Sequence, residues 1–164
     1  MRTVLPLAFA AALLSLAPVG ARAAALDCGA WDFTEDGGYE GGEVEAYITC
    51  YAPGSIIPSG LSLGCAMTED GAVSLKAYPL DDVFQPEGAA VTYTVGDQSV
   101  TLDAVFQGAD GSFLADGDAD LLALLASAEA VTVAIEGAGD AMTLPLGGAA
   151  GVIEKMQVAC APEG

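Results

Sequence analysis

The chain contains no histidine, and it carries only four lysine and arginine residues against 23 aspartates and glutamates. The lack of histidine excludes Ser-His-Asp and Cys-His nucleophilic sites, together with the histidine ligand sets of zinc hydrolases. The scarcity of cations argues against a phosphate-binding surface, so we expect no nucleic-acid partner and no binding to an anionic membrane surface. Gly-rich nucleotide fingerprints are also missing, and we expect no cofactor and no metal site.

The first residues have the form of an export signal rather than of folded structure. Arg2 gives a positive start, an apolar run follows from Val4 to Ala17, and Ala21-Arg22-Ala23 fits the small-residue cleavage pattern. The run is too short to span a bilayer, which needs about 20 apolar residues. We therefore expect residues 1–23 to be a signal peptide, with cleavage as late as residue 25 as the alternative. Residues 24–164 would then form one domain in the periplasm or outside the cell.

Removal of such a signal makes the chain still more acidic. Arg2 and Arg22 leave with it, and the remaining Lys76 and Lys155 stand against 23 acids, which gives a net charge of −21. The simpler interpretation of this charge is solubility, because the acids are spread along the chain. The alternative interpretation is electrostatic steering toward a cationic protein partner.

The four cysteines are Cys28, Cys50, Cys65 and Cys160. An even number of cysteines in an exported chain predicts a disulfide framework, but their spacing does not select one of the three possible pairings. We favour Cys28–Cys50, which would staple a thinly patterned N-terminal segment, and Cys65–Cys160, which would tie the last helix to an early strand. A zinc site is disfavoured because the chain has no Cys-x-x-Cys pair.

Much of the chain alternates apolar and polar residues with the period of a β-strand. The segment Glu43–Tyr51 places Val44, Ala46, Ile48 and Cys50 on one face. The segments AAVTYTV and QSVTLDAVF flank Gly96-Asp97, which predicts a two-residue type II′ hairpin. Further strands are predicted around Trp31 and Phe33 and at LSLGCAM, AVSLKAYPL, AVTVAIE and AMTLPL.

Two short helices are predicted in the second half of the chain. Asp116, Asp118 and Asp120 close an acidic, Gly-rich loop that begins at Gln107, and they are predicted to cap a helix over DLLALLASA. The last helix, in GGAAGVIEKMQVAC, has one apolar face: Ala149, Val152, Ile153, Met156 and Ala159. The sequence therefore predicts a mainly β domain, α+β at the margin. We expect an antiparallel β-sandwich or a strongly curved sheet with two short helices, stapled by disulfides.

The order of segments from Leu61 to Cys160 resembles a recurring pattern of exported bacterial proteins. Its parts are a strand ending in cysteine (LSLGC), a β-hairpin, the helix DLLALLASA, the strand VTVAIE, and the run LPLGGAAGVIEKMQVAC. This pattern resembles the invasion-associated locus B family and, more loosely, TagO/VasI-type accessory proteins of type VI secretion. The resemblance implies a periplasmic or secreted β-sandwich-like protein without known catalysis. It also implies the Cys65–Cys160 pairing.

Three functional hypotheses follow from these features. The first is a non-catalytic accessory or protein-interaction protein of the envelope, resembling locus B proteins. The second is an acidic secreted inhibitor or binder of a cationic protein such as a lysozyme. The third is a carboxylate-dependent glycoside hydrolase with the aromatic platforms Trp31, Tyr39, Tyr47 and Tyr51. Because 23 acidic residues produce suitably spaced carboxylate pairs by chance, we expect that the protein is not an enzyme. We expect these aromatic side chains to be core or rim residues.

Overall fold

The computed structural model describes residues 26–37, 43–66, 73–80, 87–109, 111–117 and 119–160. The predicted signal peptide, Tyr39 and Asp118 lie outside these residues.

The described chain alternates between strands and turns until it reaches the first of two helices. The elements are β1 (Asp27–Cys28), β2 (Asp32–Gly37), β3 (Glu43–Tyr51), β4 (Pro58–Ala66), β5 (Val73–Tyr78), β6 (Gly88–Val95), β7 (Gln98–Gln107), β8 (Ser112–Asp116), α1 (Ala119–Ser127), β9 (Ala130–Ile135), β10 (Met142–Pro145) and α2 (Ala149–Ala159).

The strands form one antiparallel sheet in the order β1-β3-β4-β5-β8-β7-β6-β9-β10, and β2 also pairs with β3. The sheet is strongly curved, barrel-like and nearly closed. Trp31, directly before β2, donates its indole N–H to the carbonyl oxygen of Pro145 at the end of β10, at 2.9 Å. The two ends of the sheet therefore meet. The mainly β class with two short helices is confirmed, in the form of the curved sheet.

The alternation of apolar and polar residues determines which face of each strand points inward. Val44, Ala46, Ile48 and Cys50 of β3 are all buried, as their spacing predicts. The β6–β7 hairpin turns at Gly96, whose φ is 57°, while no described non-glycine residue has a positive φ. A positive φ at the first central position alone is the mark of the predicted type II′ turn.

The core lies between the inner face of the sheet and the two helices. Helix α2 contacts β2, β3, β4 and α1. The helices bury Leu121, Leu122 and Leu125 of α1 and Ala149, Ile153 and Met156 of α2. Glu154, Lys155 and Gln157 on the opposite face of α2 are exposed, as predicted.

Both favoured disulfides are present. Cys28–Cys50 joins β1 to β3, and Cys65–Cys160 joins β4 to the residue that follows α2. All four cysteines are thus oxidised, which indicates an oxidising, non-cytosolic environment. Separately, no helix in the described part of the chain is long and apolar enough to cross a membrane.

Two features of the structure were not predicted. The segment predicted as a loop from Gln107 contains strand β8, in which Ser112, Phe113 and Ala115 are buried. The strand forms because β5 and β7 supply hydrogen-bonding partners on both of its sides. Asp116 therefore ends a strand and does not cap a helix, so that part of the prediction is wrong. The two-residue strand β1 was also not predicted.

Tyr93 lies inside the core with no exposed surface. Its hydroxyl has no hydrogen-bond partner, and burial raises the pKa of this phenol far above its ordinary value. A buried hydroxyl without a partner loses its hydration without compensation. The unpaired hydroxyl of Tyr93 therefore lowers the stability of the folded protein.

Candidate functional site

Two arrangements that can carry catalysis, a metal-ligand cluster and a free thiol, are not found among the described residues. No group of three or more His, Cys, Asp or Glu side chains there is arranged to hold a metal ion. The four sulfurs are all in disulfides, so no thiol is available as a nucleophile. The features that stand out are an exposed apolar hairpin tip and an adjoining groove.

The connection between β3 and β4 projects two isoleucines into solvent. Ile56 is 92% exposed and Ile57 is 42% exposed. This exposure is unusual because removing an isoleucine side chain from water is energetically favourable. Tyr51, the last residue of β3, is also exposed beside them. We call Tyr51, Ile56 and Ile57 the β3–β4 tip.

The tip is held in one conformation by its own hydrogen bonds. The backbone N–H of Ser55 donates to the carbonyl oxygen of Ala52 at 2.9 Å, and Gly54 supplies the positive φ of 79° that the turn requires. The backbone N–H of Ile57 then donates to the hydroxyl oxygen of Ser55 at 3.0 Å. Side-chain hydrogen bonds of this kind replace the backbone partners that a turn lacks.

A covalent clamp lies at the base of the same hairpin. The Cys28–Cys50 disulfide fixes β1 against β3, and the N–H of Gly29 donates to the carbonyl oxygen of Thr49 at 3.0 Å. The hydroxyl of Ser59 donates to the carbonyl oxygen of Cys50 at 3.3 Å. These bonds hold β1 to β3 and β3 to β4 next to the tip. The exposed isoleucines are therefore attached to a cross-linked part of the sheet.

A groove of about 220 Å³ begins at this hairpin and follows the outer face of the sheet. Its floor is strand β4, which contributes Ser59, Leu61 and Ser62, and Ser62 takes an outward position beside Tyr47. The strands on either side carry the walls, Tyr47 on β3 and Tyr78 on β5. Pro58, which directly follows the tip, lines one end of the groove, so the two features are continuous.

Glycine is required at one position of the floor. Gly60 has a φ of 153°, and a Cβ atom there would overlap the carbonyl oxygen of Ile48 on the neighbouring strand. Side chains are therefore excluded from the centre of the floor by the backbone itself. This close approach keeps the space between Thr49 and Tyr78 open, because both residues are paired with Gly60 across the sheet.

The charges beside the groove are mixed, with an acidic excess. The ammonium of Lys76 lies 3.5 Å from Oε1 of Glu45, and both side chains are largely covered. The hydroxyl of Tyr47 donates to Oδ2 of Asp32 at 3.3 Å. Burial, followed by the nearby carboxylates of Asp32 and Glu45, raises the pKa of Tyr47. The phenol therefore stays neutral and available as a ring surface.

Ser62 provides the polar group at the bottom of the groove. The residue is only 3% exposed, and its hydroxyl oxygen has no hydrogen-bond partner. In the described chain, this property is shared with Tyr93, which lies in the core and not at a surface feature. A buried hydroxyl without a partner costs about 1–3 kcal/mol, so a bound group that reached Ser62 would recover part of that free energy.

A second, wider depression lies between β2 and α2. It is lined by Phe33, Glu154, Lys155 and Val158, among others. The ammonium of Lys155 lies 6.0 Å from the centroid of the Phe33 ring, so a cation–π contact already covers this ring. The depression is consequently less available to a partner than the groove.

Of the aromatic residues proposed from the sequence as sugar platforms, the structure describes Trp31, Tyr47 and Tyr51. Trp31 is buried and closes the sheet, Tyr47 forms a wall of the groove, and Tyr51 belongs to the tip. The tip and the groove were not predicted as sites. Two adjacent isoleucines between Pro53 and Pro58 were a visible signal for the tip. The alternation Gly60-x-Ser62-x-Gly64 acquires its meaning only from the strand register.

No family model matches the chain, and no curated protein or solved structure is detectably similar to it.

Proposed function

We propose that this chain is an exported, non-catalytic protein of the bacterial envelope or the extracellular space that binds another protein through the β3–β4 tip. The single observation that carries the proposal is the tip itself: two exposed isoleucines on a hairpin fixed by hydrogen bonds and a disulfide. The sequence resemblance to the invasion-associated locus B family supports the same class of function. The disulfides support export to an oxidising compartment.

The exposed isoleucines supply the affinity in this proposal. Fully burying one such side chain against a partner contributes about 1.5–3 kcal/mol. The hydrogen bonds of the tip restrict its conformation before binding, which reduces the conformational entropy lost when the complex forms. A few side chains at the centre of a contact carry most of the binding free energy in many interfaces, and tyrosine, present here as Tyr51, is enriched among them. The tip has the chemistry and the rigidity for such a centre.

The charge of the chain selects a cationic partner. The full sequence has a formal net charge of −19, and removal of the predicted signal would increase this to −21. A basic protein is drawn toward such a surface, and its association rate falls as salt is added. A basic protein such as a lysozyme is therefore the class of partner that we favour, bound either as an inhibited enzyme or as a simple partner.

The proposal is tested by measuring binding of the oxidised protein to a basic lysozyme and to cytochrome c, with serum albumin as an acidic control. We expect saturable binding to a basic protein that weakens with salt. The double variant Ile56→Ser, Ile57→Ser should lose at least about tenfold in affinity, which corresponds to about 1.4 kcal/mol. Val105→Ser is the matched control, because Val105 is exposed on β7 away from the tip.

Two results would count against the proposal. One is the absence of salt-dependent binding to either basic protein. The other is an equal loss of affinity in the tip variant and in the Val105 control, which would mean that general surface hydrophobicity and not the tip is responsible. Lysozyme activity measured in the same samples then separates an inhibitor from a binder.

A further inference from the structure

We propose that the groove beside the β3–β4 tip receives one arginine side chain of the cationic partner. This inference rests on the proposed function for the identity of the partner. The groove itself is defined by its geometry: a floor on β4 that includes Ser59 and Ser62, between the walls Tyr47 and Tyr78.

The width of the groove fits a single flat group. Tyr47 and Tyr78 stand on β3 and β5, which flank β4, and neighbouring strands lie about 4.8 Å apart. Tyr47 is paired with Ser62 and Tyr78 with Gly60, so the two walls are also offset by two residues along the strands and lie roughly 12 Å apart at the backbone. One planar side chain fits between two rings at this separation. The volume of about 220 Å³ is that of a site for one side chain and not for a folded segment.

The electrostatics of the groove favour a cation. Asp32 and Glu45 place two carboxylates at its β3 side, and Lys76 is the one described cation beside them. The phenol rings of the walls present negatively polarised faces, which attract guanidinium and ammonium groups. An anionic ligand would meet the carboxylates and the overall negative charge. A cationic ligand is attracted by both.

Ser62 distinguishes a hydrogen-bond donor from an apolar guest. Its buried hydroxyl oxygen lacks a partner and lies at the base of the groove. Arginine has five N–H donors in a plane, so one edge can donate to Ser62 while another reaches the carboxylate of Glu45. Lysine has a single compact ammonium and is less suited to stacking between rings. Because Glu45 is already paired with Lys76, the bound arginine would compete with Lys76 for this carboxylate.

The experiment uses a blocked Gly-Arg-Gly tripeptide as the probe, titrated into the isotope-labelled, oxidised protein and followed by amide chemical shifts. We expect saturable shifts at the amides of β3, β4 and β5 around Ser62, with a millimolar dissociation constant. The same tripeptide with citrulline, which is neutral and nearly the same shape, should bind about tenfold more weakly because charge-assisted hydrogen bonds are lost.

Four variants test the assigned contacts. Ser62→Ala should weaken the arginine peptide by about tenfold, the loss expected for a hydrogen bond to a charged group. Lys76→Met should strengthen it by about two- to fivefold, because it removes a competing, partly covered charge. Tyr78→Leu should weaken binding, whereas Tyr51→Leu, a matched change of a tyrosine outside the groove, should leave it unaltered.

The outcomes separate this inference from the proposed function. Equal affinity for arginine and citrulline, or weaker binding after Lys76→Met, would overturn the cationic assignment. Saturable shifts at the same amides with a neutral chito-oligosaccharide, and none with arginine, would identify a sugar site instead. If a basic protein binds through the tip while Ser62→Ala and Tyr78→Leu leave its affinity unchanged, the groove inference alone fails. If the tripeptide occupies the groove and no basic protein binds, the proposed function alone fails.

Discussion

Removal of the Cys65–Cys160 disulfide tests how the last helix is held to the sheet. The bond joins residues 95 positions apart in the sequence. In the chain-entropy treatment, a loop of this length restricts the unfolded chain enough to stabilise the folded state by about 4.7 kcal/mol. We therefore expect the double variant Cys65→Ala, Cys160→Ala to lose free energy of unfolding of about this size.

The second disulfide provides an internal comparison. Cys28 and Cys50 are 22 positions apart, and the same treatment gives about 3.4 kcal/mol for their bond. The double variant Cys28→Ala, Cys50→Ala should therefore be destabilised by about 1.3 kcal/mol less than the first variant. Strand β1 has only two residues and depends on this bond, so its loss should also free the base of the tip.

The assay is urea denaturation of both variants and of the unaltered protein, followed by circular dichroism and by the fluorescence of Trp31. Small domains have unfolding free energies of about 5–15 kcal/mol, so a loss of about 4.7 kcal/mol takes a large share of the total. Titration of the unaltered protein in reductant measures the removal of both bonds together. Cys28–Cys50 being the more costly bond to remove, or a loss below about 2 kcal/mol for Cys65–Cys160, would refute the loop-length reasoning.

Three further changes test other parts of the fold. Tyr93→Phe should raise the free energy of unfolding by about 1 kcal/mol in urea titrations, because it removes a buried hydroxyl without a partner. Since burial raises the pKa of Tyr93, the unaltered protein should lose stability as the pH rises above about 10, and the Phe variant should lose less; equal losses would contradict this. Gly60→Ala should cost about 3 kcal/mol, because the new methyl group overlaps the carbonyl oxygen of Ile48, and thermal stability like that of the unaltered protein would refute the close approach. Trp31→Phe should cost at least about 1 kcal/mol through the lost hydrogen bond to Pro145, and hydrogen exchange should rise first in β2 and β10; unchanged exchange there would argue against closure by this bond.

Local patterns in the sequence were sufficient to predict most of the strands and both helices, whereas the spacing of the cysteines left three disulfide pairings open. The alternation in Glu43–Tyr51 predicted the buried face of β3, because one side of the strand meets the core and the other meets solvent. The Gly96-Asp97 turn was equally local, since a two-residue hairpin depends only on its own backbone. In such segments the local preference and the tertiary structure agree.

Features that depend on distant partners were not predictable in the same way. Strand β8 is short and lies among glycines and acids, and its β-structure depends on pairing with β5 and β7. The groove requires the register that places Ser62 between Tyr47 and Lys76, which no single segment contains. The contact of Trp31 with Pro145 joins residues 114 positions apart. Composition predicted the acidic character of the surface, but not where the chain would leave apolar side chains exposed.

The span of the Cys65–Cys160 disulfide also has a consequence for maturation. When the chain is exported with its N-terminal end first, Cys28 and Cys50 appear early. These two residues can be oxidised as soon as β1 and β3 pair. The partner of Cys65 emerges only 95 residues later. Sequential emergence therefore favours the pairing that the structure has. Pro145, which accepts the hydrogen bond of the Trp31 indole, also lies in the last part of the chain to emerge, so closure of the sheet likewise depends on the C-terminal segment.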